Sequence, residues 1–306
     1  MKKRIFTEYE KNKMIELYTS GKSTNYIKKE LNIVPSVSIP FLRKNNVQIR
    51  STVNSENRKY TVNHDYFEKI DTKDKAYFLG FMFADGNNFL KGIRLEIHSK
   101  DVEILNLFKK YIKYSGKIYN TKRLRNKKLY YSSKITINSF KLAQDSINLG
   151  FVPNKTFKTV FPSINKELYP HFIRGYFDGD GSICKNNVKT GTWNSNFTGY
   201  KDIILSIKKI LIKECSLNNS KLQFKGDKGI CTYNIGGNIQ NFRLKEYLYK
   251  DCDDLFLSRK KEKFDKVSYK IVSKICSICG NKSQAKGLCS KHYHQERYNK
   301  NKIKYL

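Results

Sequence analysis

The sequence predicts an α+β protein with a duplicated central domain. Each half runs helix, strands, helix, strands, helix, the two halves are related by a pseudo-twofold axis, and a small all-helical domain and a Cys/His-bearing tail flank them. Three observations predict this. First, AYFLGFMFADG at 76–86 and HFIRGYFDGDG at 171–181 are apolar stretches containing glycine, and each delivers a carboxylate at its end, in Asp85-Gly86 and Asp180-Gly181. Second, the periodicities that follow the first stretch recur after the second, which marks an internal repeat. Third, 60 Lys and Arg stand against 27 Asp and Glu over 306 residues, and the resulting +33 is spread along the whole chain. An excess of that size favours a polyanionic partner.

Composition also excludes several classes. The longest apolar runs, such as Tyr77 to Ala84, are far too short to span a bilayer. The basic start MKKRIFTEYEK meets acidic residues where a signal peptide needs its apolar segment, so the expectation is an intracellular, cytoplasmic protein. Cys184, Cys215, Cys231 and Cys252 are scattered singly while Cys276, Cys279 and Cys289 cluster, and this odd total argues against a disulfide scaffold.

Residues 1–55 read as three short helices. Thr7 and Glu10 have capping-box spacing, Met14, Ile15 and Tyr18 form a stripe, Gly21 ends the first helix and Ser23 caps the second. The third begins near Ser36, between Pro35 and Pro40. This is a helix-turn-helix layout, and Arg43, Lys44 and Arg50 behind the third helix suit DNA contact. A polar, aperiodic linker is expected over 56–64.

The first half is expected over 65–164. GIRLEIHS alternates as a strand, DVEILNLFKKYIKY is an amphipathic helix, GKIYNTKRL and KLYYSSKITIN are strands about a basic turn, and SFKLAQDSINLG is helical. Over 165–270 the order recurs, with GSICKN and WNSNFTG as strands, KDIILSIKKILIKE as a helix, KLQFKG and ICTYNIG as strands, and NIQNFRLKEYLYK as a helix. The repeat explains the two Asp-Gly stretches. Gly80 and Ala84, like Gly175 and Gly179, are four apart and share a helix face, so the two apolar helices can approach closely and bring Asp85 and Asp180 together.

Two adjacent carboxylates at helix C-termini repel each other and oppose the helix dipole. Bound Mg²⁺ resolves both problems, because hard carboxylate oxygens, water and phosphate oxygens complete its shell. The blander alternative is a helix stop, with Gly86 and Gly181 at C′ and the aspartates merely solvated. FLGFMFADG and IRGYFDGDG resemble the two motifs of the single-chain LAGLIDADG homing endonucleases, and the pattern fits that family over 65–268. The resemblance implies two αββαββα halves forming a saddle over duplex DNA and cleavage of both strands of a long site with short 3′ overhangs. It also implies catalytic metals on Asp85 and Asp180 and one supporting basic residue per half, Lys155 in INLGFVPNKTF and Lys260 in LFLSRKKEKF. Asp178 and its counterpart Phe83 receive no catalytic role. A single chain would supply both active centres, so a monomer is expected.

Strand residues that could reach DNA include Arg94, Glu96 and His98 after the first motif and Lys185 and Lys189 after the second. The basic turn adds Lys122, Arg123, Arg125, Lys127 and Lys128. Over 271–306, Cys276-x₂-Cys279, nine residues and Cys289-x₂-His292 offer four ligands in two pairs, suited to structural Zn²⁺, with His294 as the rival fourth ligand. That tail resembles small zinc modules appended to mobile-element proteins, and the N-terminal stretch resembles resolvase and transposase helix-turn-helix regions. Two other readings use the same scaffold, an intron-RNA-binding maturase and a non-cleaving transcriptional regulator. The intact pair of aspartates favours cleavage.

Overall fold

The structure is a computed structural model that describes residues 6–49, 60–125, 128–187, 191–226, 228–268 and 276–302. Arg50, Lys127 and Lys189 lie outside the described residues. The chain divides into two compact units, Met1–Lys59 and Tyr60–Leu306.

The first unit carries α1 (Glu8–Thr19), α2 (Thr24–Leu31) and α3 (Pro35–Lys44). The expected capping box forms, with Glu10 N donating to Thr7 Oγ1 at 3.2 Å and Thr7 N donating to Glu10 Oε2 at 3.0 Å. Gly21 turns the chain at φ +92°, and Ser23 Oγ caps α2 by accepting from Tyr26 N. Pro35 opens α3, where its missing N–H is harmless. Met14, Leu17, Tyr18, Ile27, Ile33 and Leu42 close a small core of their own.

The second unit contains the repeat. Its first half is α4 (Lys73–Asp85), β1 (Gly86–Asn88), β2 (Ile93–His98), α5 (Val102–Tyr111), β3 (Tyr119–Arg125), β4 (Lys128–Ile137) and α6 (Phe140–Asn148). The other half is α7 (Tyr169–Asp180), β5 (Gly181–Asn187), β6 (Thr192–Tyr200), α8 (Lys201–Cys215), β7 (Gln223–Lys225), β8 (Ile230–Gly236), α9 (Asn238–Tyr249) and α10 (Ser258–Asp265). Each half forms a four-stranded antiparallel sheet of the same topology, β1-β2-β4-β3 and β5-β6-β8-β7. The fold is therefore mixed α+β and built of two like halves. One continuous core serves both, from Phe78, Leu95 and Phe108 through Phe172, Phe197 and Leu244.

Three features depart from the sequence expectation. Thr61 and Asn63, expected in the linker, hydrogen-bond to Ser115 and Ile112, so the chain is already packed on the first half at residue 61. The helix α10 was not anticipated, because SRKKEKFD has no apolar stripe long enough to announce one. The motif glycines are not left-handed caps. Gly86 has φ −78° and Gly181 φ −88°, both open a strand, and a Cβ there would stand 2.5 Å from Met82 O or 2.4 Å from the Phe177 ring. Crowding by the preceding helical turn is what requires glycine at these two positions.

Candidate active site

Helices α4 and α7 make the most extensive helix–helix contact among the described residues. The small residues account for it. A Cβ on Gly80 would stand 2.0 Å from Phe172 O, one on Gly175 would stand 1.9 Å from Tyr77 O, and one on Gly179 would meet Ala84 Cβ at 2.3 Å and Asp85 Oδ2 at 3.2 Å. Backbone lies on backbone, and the helix ends converge as the four-residue spacing required. Asp85 and Asp180 thus meet at the C-terminal end of the pair, accessible to solvent but hemmed in by protein.

The electrostatics are strained in the way expected of an acid pair built for a cation. Burial first, and the neighbouring Asp180 charge second, push Asp85 up to about 6, while Lys155 and Lys260 pull it back. Burial also raises Asp180, against the same two lysines. Among the described residues neither carboxylate has a hydrogen bond or an ion pair. Two accessible, unpartnered, mutually repelling carboxylates fit a divalent cation of hard, oxygen-seeking character.

Lys155 and Lys260 occupy equivalent places. Lys155 Nζ donates to Phe83 O and Ala84 O at the end of α4. Lys260 Nζ donates to Phe177 O at 2.6 Å, Asp178 O at 2.7 Å, Gly179 O at 3.4 Å and Gly181 O at 2.6 Å at the end of α7. Both ammonium groups thus satisfy carbonyls that a helix end leaves unpaired and oppose the negative dipole end, which lets an aspartate stand there. Burial lowers each to about 8, against the pull of the two aspartates and, for Lys260, of Asp178 ahead of them. Lys260 is 3% exposed, so it is a buried cation rather than one of the many surface lysines.

Sheet register decides which strand residues share a face. In the first half Arg94, Glu96 and His98 pair with Thr136, Lys134 and Ser132, and this row continues through Arg123 and Tyr130 on the side opposite the core. The row is pre-ordered. Ser132 Oγ donates to Glu96 Oε1 at 2.7 Å, Arg123 pairs with Glu96 at 3.3 Å, Arg94 Nε donates to Thr136 Oγ1 at 3.2 Å, and His98 Nδ1 accepts from Lys100 N. Lys128 pairs with Arg125 at the end of the hairpin. Lys122 falls on the other face, its Nζ 5.8 Å from the centre of the Tyr131 ring. Lys185 likewise pairs with Trp193 on the core-side row, where it is exposed beside the register irregularity between Lys185 and Asn187.

The corresponding outer row of the second sheet is mainly amide and hydroxyl, running through Ser182, Asn194, Asn196, Thr198, Thr232, Asn234 and Gln223, with Cys184 and Lys225 on the same face. Sequence reasoning missed it by looking for positive charge. Its signal was the alternation in TWNSNFTGY, where Asn194, Asn196 and Thr198 fall at period two between Trp193, Ser195 and Phe197. In the first unit Arg43 and Lys44 are exposed at the end of α3.

The tail forms its own cluster. Cys276, Cys279, Cys289 and His292 place their ligand atoms within 4.8 Å of one another. Cys279 Sγ lies 3.7 Å from Cys289 Sγ, and His292 Nδ1 lies 3.3 Å from Cys276 Sγ and 3.5 Å from Cys289 Sγ. A tetrahedral ion with metal–sulfur bonds of about 2.3 Å needs sulfurs about 3.8 Å apart, so the spacing fits a Cys₃His metal site. His294 does not belong to the cluster.

No protein-family model matches the chain, and no curated protein matches it. Among solved structures, the I-LtrWI LAGLIDADG homing endonuclease bound to target DNA aligns at 13% identity over 66% of this chain and 88% of its own, with a TM-score of 0.39. The homing endonuclease I-WcaI bound to its DNA recognition sequence aligns at 14% identity over 78% of this chain and 96% of its own, with a TM-score of 0.45. Full-length DUF199/WhiA from Thermatoga maritima aligns at 17% identity over 67% of this chain and 65% of its own, with a TM-score of 0.39.

Proposed function

We propose that the protein is a divalent-metal-dependent endonuclease that hydrolyses phosphodiesters in both strands of a long double-stranded DNA site, in the manner of the homing endonucleases its motifs resemble. The observation that carries this reading is the convergence of Asp85 and Asp180, unpartnered and accessible, at the joined ends of two glycine-packed helices. Mg²⁺ held there would supply positive charge at the scissile phosphate and its attacking water. Lys155 and Lys260 set the place of the two aspartates by capping the helix ends, and their buried charge adds to the field that draws a phosphate in. The charged row of the first sheet and the amide and hydroxyl row of the second are read as base-contacting surfaces.

Residues 65–164 and 165–270 are then the two halves, 1–55 is a helix-turn-helix that extends the footprint through Arg43 and Lys44, and 271–306 is a module whose Cys₃His cluster holds structural Zn²⁺. One chain supplies both active centres, so the protein would act as an intracellular monomer. The test is incubation of the purified protein with Mg²⁺ and a randomised duplex library, followed by sequencing of the ends. Discrete breaks abolished by Asp85→Asn or Asp180→Asn support the reading. Tight DNA binding without breaks would leave a transcriptional regulator, and preference for structured intron RNA would leave a maturase.

A further inference from the structure

The two halves hold their lysines by different means. Superposing the motifs places Arg174 opposite Leu79 and Asp178 opposite Phe83. In the first half this pair is apolar and buried. The Phe83 ring lies 5.9 Å from that of Phe151, which packs four residues ahead of Lys155 and lies 5.9 Å from its Nζ. In the second half the pair is charged, and both members are at most 1% exposed. Arg174 donates to Leu255 O at 2.6 Å and Leu248 O at 2.7 Å. Asp178 Oδ2 accepts from Leu257 N at 2.9 Å and from the Tyr77 hydroxyl of α4 at 2.9 Å.

Leu257 is the N-cap residue of α10, and Lys260 N donates to Leu257 O at 2.9 Å. Two side chains of the motif helix thus grip the backbone that leads into Lys260. The arrangement is an expensive way to fill a core. Asp178 Oδ1 is buried with no hydrogen bond of good geometry, only the equally unsatisfied Tyr249 hydroxyl near it, and an apolar pair of the kind found at Leu79 and Phe83 fills the same place without desolvating charge. What charge adds and apolar packing does not is a fixed direction for the bonds it makes.

We propose that Arg174 and Asp178 are positioning residues for Lys260, so that the active centre of the second half is set by a buried polar clamp and that of the first half by aromatic packing. The functional consequence rests on the nuclease reading. Loosening the clamp should displace Lys260, together with the end of α7 that it caps, and slow cleavage of one strand.

The test compares Asp178→Leu, which removes both acceptor bonds, with Asp178→Asn, whose remaining oxygen can keep them. Asp178→Ala replaces the leucine variant if the latter does not fold. Cleavage of a duplex labelled separately on each strand should show the leucine variant turning into a nicking enzyme. One strand should slow roughly 10- to 100-fold, the range of a misplacement of about 1 Å, while the other strand and the asparagine variant stay near wild type. Equal slowing of both strands, or none, overturns the proposal.

Hydrogen exchange provides a readout independent of cleavage. The Leu257, Lys260 and Lys261 amides should lose protection in the leucine variant and keep it in the asparagine variant, with α6 of the first half unchanged. If the wild-type protein cuts no DNA, the nuclease reading fails and exchange alone decides the clamp. Unchanged protection in the leucine variant then overturns it.

Discussion

Asp85 and Asp180 gain nothing from each other without a cation, and their behaviour with pH follows from that. A carboxyl raised above its ordinary 3.8 to about 6 contributes stability that is complete below about 3.8 and is lost as pH rises through 6. Asp178, buried and also pushed up to about 6, adds in the same sense. His171 opposes them. Burial first and Arg174 second lower it from 6.5 to about 4, so its contribution is present above 6.5 and is lost as pH falls through 4. Asp85→Asn should therefore flatten the fall in stability of the metal-free protein between pH 4 and 6, measured as the difference in urea midpoint from wild type. Below pH 6 a metal must displace the Asp85 proton, so Mg²⁺ affinity by titration calorimetry should weaken there and level off above. On the proposed nuclease function, losing either carboxylate would remove several kcal/mol of charge stabilisation, and cleavage by Asp85→Asn or Asp180→Asn should fall by at least roughly 1,000-fold.

Among the elements, α4 and α7 depend on two glycines for their contact. Gly80→Ala or Gly175→Ala would drive a methyl to about 2 Å from a backbone carbonyl of the other helix, which neither rigid backbone can yield. Each should lower stability by roughly 3 kcal/mol, the upper end for overpacking, in a chemical denaturation curve. The tail module is small and has few apolar residues, so an ion at its Cys₃His cluster would supply much of its folding free energy. Loaded with Co²⁺, the protein should show the intense thiolate charge-transfer and tetrahedral d–d bands of a three-sulfur site. His292→Ala should change them and His294→Ala should leave them intact, while the reverse pattern would assign the fourth ligand to His294. On the DNA-contacting role proposed for the two outer rows, the sheets would also differ in what they read. Arginines of the first outer row suit guanine and asparagines of the second suit adenine, so the selected target should be richer in A·T on the side of the second half.

The whole molecule is governed by its charge. At +33 it should bind any duplex weakly and its own site with a steep salt dependence. Contacts to about 6–10 phosphates predict a loss of roughly 10³- to 10⁵-fold in affinity between about 50 and 200 mM salt. Fluorescence anisotropy across that range checks this, and a flat response would remove the polyanion argument on which the DNA reading began. Within Tyr60–Leu306 the two halves are joined by more than α4 and α7. Arg259 forms a bidentate pair with Asp101 at 2.8 Å for both contacts, and Asp254 receives Tyr111 at 2.6 Å and Lys110 at 3.2 Å. The last part of the second half is thereby fastened to the first. Asp101→Asn should loosen this fastening, and faster exchange at the start of α10 would register it.

The sequence alone determined the repeat, the strand and helix order in both halves apart from β1 and α10, the three N-terminal helices with their caps, the meeting of Asp85 with Asp180, and the three cysteines of the tail cluster with two candidate histidines. All of these are written in local periodicity or in fixed spacing, which a one-dimensional pattern preserves. Sequence reading also named Lys155 and Lys260, but not that they bond the motif-helix carbonyls, since those partners lie 71 or more residues away along the chain. Only the tertiary structure decided which face of each strand is outward, because a shift of one residue in register exchanges the faces and nothing within a strand says which neighbour it will meet. That pairing placed Arg94, Glu96 and Arg123 on the outer row and removed Lys122 and Lys185 from it. It likewise gave Asp178 its meaning, since a lone aspartate in an apolar motif becomes a clamp only where the fold brings the Leu257 amide within 2.9 Å of it.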